Sequence, residues 1–151
     1  MFFKPGEHAP HLKSDPFKAL VAPRPIGWIS TRAKDGRVNL APYSYFNALS
    51  DNPWLVAFAS DGPKDSATFA EESGEFVCNI VTREFAGRMV STSVDAPRGT
   101  SEFDYAGLEM EPSALVKSPR VKGIKAALEC KVTEVIRPKL LSGHASPVHL
   151  V

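Results

Sequence analysis

The sequence has no long hydrophobic run, no charge excess and almost no cysteine, and each absence excludes a class of protein. Its 151 residues contain no run of about 18 apolar residues, so no transmembrane helix is predicted. Residues 1–13 contain no apolar segment of the kind that a secretory signal requires. Eighteen basic and seventeen acidic residues leave a net charge of +1, which argues against a general nucleic-acid or membrane-surface binder.

The two cysteines, Cys78 and Cys130, are not arranged as a C-x-x-C motif. Each lies inside an apolar stretch, where a buried free thiol is a more common state than a disulfide. The pattern indicates a reducing compartment and therefore predicts a cytoplasmic protein.

Several well-known catalytic motifs are also missing. No G-x-G occurs, which excludes the dinucleotide-binding fingerprint, and no G-x-S-x-G occurs, which argues against a hydrolase with a nucleophile elbow. His8 and His11 are close in the sequence, but no further ligand lies near them, and no metal site is predicted. No two carboxylates stand out as an acid–base couple.

The sequence does contain short apolar segments separated by 13 prolines, a pattern typical of many short elements with sharp corners. An Asp35-Gly36 hairpin turn separates the first two predicted strands. Residues 54–59 are nearly all apolar, which predicts a buried strand. Strands are predicted at residues 26–31, 38–41, 54–59, 75–81 and 126–136.

Two short helices are predicted between the strands. The first covers residues 64–72, with Asp65 or Ser66 as its N-cap and Gly74 at its end. The second covers residues 83–93 and has one apolar face.

The rest of the chain adds a loop and one more strand. Residues 94–120 show no clean period, which predicts a long loop that is functional or packs on a neighbour. Residues 145–151 are predicted to form a strand that enters the sheet. Hairpins rather than crossover helices connect the strands, which favours an antiparallel barrel over a Rossmann sheet.

The candidate ligand site lies within residues 23–66. Hydroxyls, amides and aromatic rings fall on neighbouring strands, and Lys64 and Ser66 fall at a helix start, where backbone N–H groups bind phosphate. A planar phosphorylated heterocycle would suit such a place, with Ser44, Lys64 and Ser66 at its phosphate. The alternative interpretation is that the aromatic residues belong to the core, that Ser66 only caps the helix, and that Lys64 is a solvated surface cation.

Three motifs in this region form a specific combination. They are Pro-Arg-Pro-Ile-Gly-Trp-Ile-Ser-Thr at residues 23–31, Asn-Leu-Ala-Pro-Tyr-Ser at residues 39–44, and Ser-x-x-x-Lys-Asp-Ser at residues 60–66. With these motifs the chain resembles, over roughly residues 17–151, the flavin reductase-like family of FMN-binding split-barrel proteins.

The resemblance implies a mainly β, six-stranded antiparallel Greek-key split barrel with short flanking helices. It implies a homodimer that binds FMN near the subunit interface, takes electrons from NADH or NADPH, and in some members passes reduced flavin to a partner monooxygenase. The first motif would contact the flavin ring, and the second and third would hold the ribityl chain and the phosphate. The implied FMN-binding residues are Trp28, Ile29, Ser30, Thr31, Asn39, Ala41, Pro42, Tyr43, Ser44, Phe46, Asn47, Ser60, Lys64, Asp65 and Ser66.

The match is weaker near the end of the chain. Many members open a late strand with glycine, a variable residue and a histidine that lies near the flavin. Here only His149 and the apolar pair after it match, which makes His149 the implied catalytic residue. Because the family continues past this strand, residues 1–151 are expected to be a single FMN-binding domain that lacks its C-terminal part, with an incomplete barrel.

Two functions are consistent with these residues. The first is an NAD(P)H-dependent flavin reductase, in which the protein supplies geometry and backbone hydrogen-bond donors to the flavin. The second is a non-catalytic split-barrel module that binds flavin as an electron carrier or sensor. The yellow colour of a bound flavin, and its bleaching by NADH or NADPH, would distinguish the two.

Overall fold

Two antiparallel sheets packed on each other form the body of the fold in the computed structural model, which describes residues 16–94, 96–97 and 100–151. The first sheet consists, in spatial order, of β2 (Val38–Tyr43), β1 (Gly27–Arg32), β5 (Glu75–Asn79) and β8 (Ala127–Lys131). The second consists of β3 (Phe46–Asp51), β4 (Trp54–Asp61) and β9 (Val148–Leu150). A separate two-stranded ribbon pairs β6 (Met110–Glu111) with β7 (Arg120–Val121).

Short helices flank these sheets. They are α1 (Phe17–Leu20), α2 (Asp65–Ser73), a 3-10 turn (Arg83–Phe85), α3 (Ala86–Ser91) and α4 (Glu102–Tyr105). In the described part of the chain, no helix is long and apolar enough to cross a membrane.

Strand β1 is buried on both faces because two hydrophobic clusters meet on it. Ile29 packs with Phe58 and Phe76 between the two sheets. Trp28 faces the opposite way and packs with Phe103 of α4. Since side chains alternate between the faces of a strand, neighbouring residues of β1 belong to different clusters.

This architecture confirms the predicted mainly β, antiparallel split barrel with short helices. Gly36 lies in the turn between β1 and β2 with a φ of +94°, a conformation that favours glycine. Gly74 ends α2 with a φ of +74°, as predicted, and its N–H donates to the Ala70 carbonyl.

Several predicted elements differ from the structure. The helix expected at residues 83–93 is a 3-10 turn followed by α3, which ends at Ser91. The strand expected at residues 126–136 ends at Lys131, and Ile136 makes only an isolated bridge to Leu150. The described residues of the segment 94–120 contain α4, β6 and the first residue of β7, and these elements are too short to produce a sequence period; residues 95, 98 and 99 lie outside the described residues. The strand expected to be buried at residues 54–59 is buried only toward its end, since Trp54 is 86% exposed.

The prediction that Asp65 or Ser66 caps α2 is wrong. Lys64 occupies the N-cap position, and no side-chain hydrogen bond caps the helix. Ser66 lies inside the first turn, and its hydroxyl donates to the Asn39 side chain instead. Ser66 therefore joins α2 to β2 rather than starting the helix.

Both cysteines are free thiols, as predicted. Burial raises the pKa of Cys78 to about 12 and that of Cys130 to about 11. Because the thiolate is the reactive form, these raised pKa values disfavour reaction of either thiol at neutral pH.

Candidate functional site

A pocket of about 330 Å³ lies where the C-terminal half of β2, the start of α2, the segment after α3 and the start of α4 meet. Seven of the fifteen predicted FMN-binding residues line it, four from β2 and three from the start of α2. The lining residues are Asn39, Ala41, Pro42, Tyr43, Pro63, Lys64, Asp65, Ser66, Thr92, Ser93, Val94, Ala96 and Glu102.

The start of α2 forms one wall of the pocket. Lys64 has extended backbone angles (φ −69°, ψ 161°), and the helix begins at Asp65. The first N–H groups of an α-helix have no acceptor within the helix, and the helix dipole makes this end electropositive. This wall therefore offers backbone donors and a lysine to an anion.

A buried chain of hydrogen bonds forms the floor of the pocket. The Ser66 hydroxyl donates to Asn39 Oδ1. Asn39 Nδ2 donates in turn to Glu102 Oε2 over 2.9 Å, and the backbone N–H of Leu40 donates to the same oxygen over 3.0 Å. The chain links α2, β2 and α4, so the three elements that surround the pocket are held by one network.

Two lining residues titrate away from their usual range. Burial raises the pKa of Glu102, and the neighbouring Asp65 carboxylate raises it further, although hydrogen bonds from Leu40 and Asn39 oppose the shift. Burial also raises the pKa of Tyr43 above its usual value of 10, although the neighbouring Ser66 and Ser60 hydroxyls oppose the shift. Tyr43 therefore stays neutral throughout the physiological range.

Four predicted flavin-contacting residues, those of β1, lie beneath the pocket wall. The side chains of Trp28, Ile29, Ser30 and Thr31 are fully buried. Trp28 Nε1 donates to Thr92 Oγ1 over 2.9 Å, and Thr92 lines the pocket. Ser30 Oγ donates to the Pro119 carbonyl over 2.6 Å. In this structure β1 supports the pocket from behind and does not line it.

The remaining predicted contacts lie outside the lining of the pocket. Ser44 is half-buried and Asn47 is exposed. Phe46 packs against the cluster between the sheets. Ser60 is buried, and its hydroxyl donates to the Gly62 carbonyl over 2.9 Å.

His149 lies on β9, directly opposite Ser60 of β4. Paired residues of antiparallel strands share a face of the sheet, so His149 faces the same side as Ser60. Its Nδ1 atom is buried and has no hydrogen-bond partner among the described residues. The histidine does not line the pocket.

Sequence reasoning missed Glu102 and the segment after α3. Glu102 lies in the aperiodic stretch 94–120, and its partner Asn39 is 63 residues away in the chain. No motif or periodicity marks such a contact. From the sequence alone, the polar and charged residues of the motifs identify only the parts of the pocket that β2 and the start of α2 form.

Comparisons with known proteins agree with this fold. A family model described as flavin reductase like domain matches residues 20–144. A relative from Aquifex aeolicus is 39% identical over 122 residues, which are 78% of this chain and 62% of the relative. The flavin-dependent monooxygenase reductase subunit HsaB of Mycobacterium tuberculosis is 35% identical over 108 residues, which are 71% of this chain and 54% of HsaB.

Among solved structures, nitrilotriacetate monooxygenase component B from Bacillus cereus superposes with a TM-score of 0.87 and 28% identity, covering 99% of this chain and 76% of that chain. The chain spans little more than half of the length of the curated relatives it matches, between 53% and 62%. Since the family model covers most of its residues, the chain belongs to the flavin reductase-like family.

Proposed function

We propose that this protein is an FMN-binding oxidoreductase that reduces flavin with NADH or NADPH. The observation that carries the proposal is the pocket at the start of α2, which gathers seven of the residues that family resemblance assigns to FMN. Membership of the flavin reductase-like family supports the same reaction class.

The lining fits the chemistry of FMN. A phosphate monoester finds Lys64, the Ser66 side chain and the helix N-terminus on one wall. Ala41, Pro42 and Val94 offer apolar surface to the ribityl chain or ring. The pocket volume of about 330 Å³ falls within the range of roughly 300–1,000 Å³ usual for small-molecule sites.

In this proposal, the residues of the chain bind FMN and orient it. FMN, when bound, supplies the capacity to accept a hydride and to pass electrons on. Lys64 and the α2 N–H groups fix the phosphate, while the neutral Tyr43 phenol lines the pocket beside them. Buried β1 keeps the pocket wall rigid through the Trp28–Thr92 hydrogen bond. His149 is proposed to lie on the nicotinamide side, because it matches the histidine that the family resemblance places near the flavin.

Assembly and partners are also part of the proposal. We propose a homodimer that works in the cytoplasm, supported by the two free cysteines and by exposed apolar residues such as Trp54. A partner monooxygenase is proposed because HsaB and the Bacillus cereus protein are components of monooxygenase systems.

Anaerobic titration of the FMN-loaded full chain with NADH and with NADPH tests the proposal. The flavin absorbance should bleach at a stoichiometry of one nicotinamide per flavin, with one of the two donors preferred. Tight FMN binding without bleaching by either donor would show that the protein is a flavin-binding carrier and not a reductase. Failure to bind FMN would refute both.

A further inference from the structure

Glu102 is a buried carboxylate that lines the proposed phosphate pocket. Its side chain is 6% exposed, and its Oε2 atom accepts hydrogen bonds from Leu40 N–H and Asn39 Nδ2 at 3.0 and 2.9 Å. Both donors are neutral groups. A carboxylate in a pocket built for an anion needs an explanation, because like charges repel strongly in a half-buried site.

The ionised state of Glu102 dictates the direction of the hydrogen bonds beyond it. A carboxylate only accepts, so the Asn39 amide must present Nδ2 to Glu102 and Oδ1 to Ser66. The Ser66 hydroxyl then donates its single proton to Asn39. While Glu102 is charged, Ser66 has no proton left to donate to a phosphate oxygen in the pocket.

We propose that Glu102 controls the affinity of the pocket for a phosphorylated flavin by setting the direction of the Glu102–Asn39–Ser66 chain. A protonated Glu102 can donate to Asn39 Oδ1, which turns the amide so that Nδ2 donates to Ser66 and the Ser66 proton points into the pocket. Protonation also removes one negative charge from the lining. This inference rests on the proposed FMN site.

The pocket contains other titratable groups besides Glu102. Among the described lining residues, they are Lys64 and Asp65 on α2 and the phenol of Tyr43 on β2, while Asp95 and Arg98 fall outside the described residues. Burial and Asp65 both favour the neutral form of Glu102. Since the protonated form binds phosphate better, FMN affinity falls as the pH rises through the pKa of Glu102.

The first test compares wild type with Glu102→Gln, which removes the charge of the carboxylate. Its Nε2 can donate to Asn39 in the place of Oε2, although the Leu40 N–H then loses its acceptor. Dissociation constants for FMN and riboflavin are measured on the flavin-free full chain by flavin fluorescence, between about pH 5 and about pH 8. At the alkaline end the FMN-to-riboflavin preference should be roughly tenfold higher in E102Q, and the difference between the two proteins should shrink as the pH falls. The phosphate of FMN also titrates in this pH range, but its titration changes the FMN affinity of both proteins equally and therefore cancels in the comparison between them.

The second test is a double-mutant cycle with Ser66→Ala. Ser66→Ala should weaken FMN binding by a larger factor in the E102Q background than in wild type at the alkaline end, about tenfold against threefold or less. In the wild-type background, the factor by which Ser66→Ala weakens FMN binding should itself grow as the pH falls. This measurement tests the inference even if E102Q does not fold.

Equal effects of Ser66→Ala in both backgrounds and at every pH would overturn the inference, as would an unchanged FMN-to-riboflavin preference in E102Q. These results leave the proposed function standing, because wild type would still bind FMN. Absence of binding of either flavin by wild type is a different outcome, which overturns the proposed function and the inference together.

Discussion

Lys64 has the most direct role in the proposed phosphate site, since it lies at the N-cap of α2 and lines the pocket. Its charge lies close enough to Tyr43 to oppose the rise that burial causes in the pKa of that phenol. We predict that Lys64→Ala weakens FMN binding by about 1–3 kcal/mol, the usual loss for a charge-assisted hydrogen bond. Riboflavin, which lacks the phosphate, should lose far less. Fluorescence titration of both ligands measures the difference.

Lys139→Ala is the matched control, because this exposed lysine lies in a different part of the chain and does not line the pocket. It should leave both affinities unchanged. Equal weakening of FMN and riboflavin by Lys64→Ala would show that Lys64 does not contact the phosphate.

Glu75 contributes a pH-dependent part of the stability. Burial raises the pKa of its carboxyl, but hydrogen bonds from Lys131 Nζ, at 2.6 Å, and from the Lys117 N–H outweigh this and hold the pKa below its usual value of 4.5. A lowered pKa in the folded state gives stability that is present above pH 4.5 and is lost as the pH falls through the folded pKa.

We therefore predict that Glu75→Gln costs about 1 kcal/mol of unfolding free energy at neutral pH and little at acidic pH. Urea unfolding at several pH values measures this difference. A penalty that stays constant down to the acidic end would mean that the charge of Glu75 does not contribute.

At the scale of elements, one carboxylate of β8 holds the loop before β7. Glu129 Oε1 accepts the backbone N–H of Ala114 over 2.9 Å, and its Oε2 accepts that of Leu115 over 2.5 Å. We predict that Glu129→Ala increases hydrogen exchange at these two amides by roughly tenfold, because each loses its acceptor. Exchange in β1 should not change. Protection that survives the substitution would show that other contacts hold the loop.

Sequence patterns predicted the presence of helices and strands more reliably than the residues at which they begin and end. Turn chemistry at Gly36 and Gly74 located two boundaries, because positive φ angles strongly select glycine. Trp54 was expected inside because an exposed apolar residue has the same apolar character as a core residue. Glu102 could not be found at all, since pairing with Asn39 depends on tertiary folding across 63 residues.

At the scale of the whole molecule, an apolar cleft of about 580 Å³ lies between β4 and β8 and continues onto exposed side chains. Trp54 is 86% exposed and Leu115 is 80% exposed at its edge. Apolar surface of this kind is typical of protein interfaces, so we predict that a second copy of the chain covers it.

Trp54→Ala should weaken the dimer by about 2 kcal/mol or more, as expected of an exposed tryptophan that the partner buries. Sedimentation velocity over a concentration series measures this. Leu141→Ala is the control, because Leu141 is also exposed but does not line the cleft. A wild-type protein that is monomeric at micromolar concentration would contradict the prediction.

The burial of β1 on both faces also determines how the molecule unfolds. Asn79 reinforces the strand, since its Nδ2 donates to the Trp28 carbonyl and its Oδ1 accepts the N–H of Val121. Neither hydrophobic cluster can open without exposing the other, so melting should be a single cooperative event. Because the pocket lies on the same framework, a ligand bound there should raise the melting temperature of the entire domain, which makes a thermal-shift screen a direct search for its natural occupant.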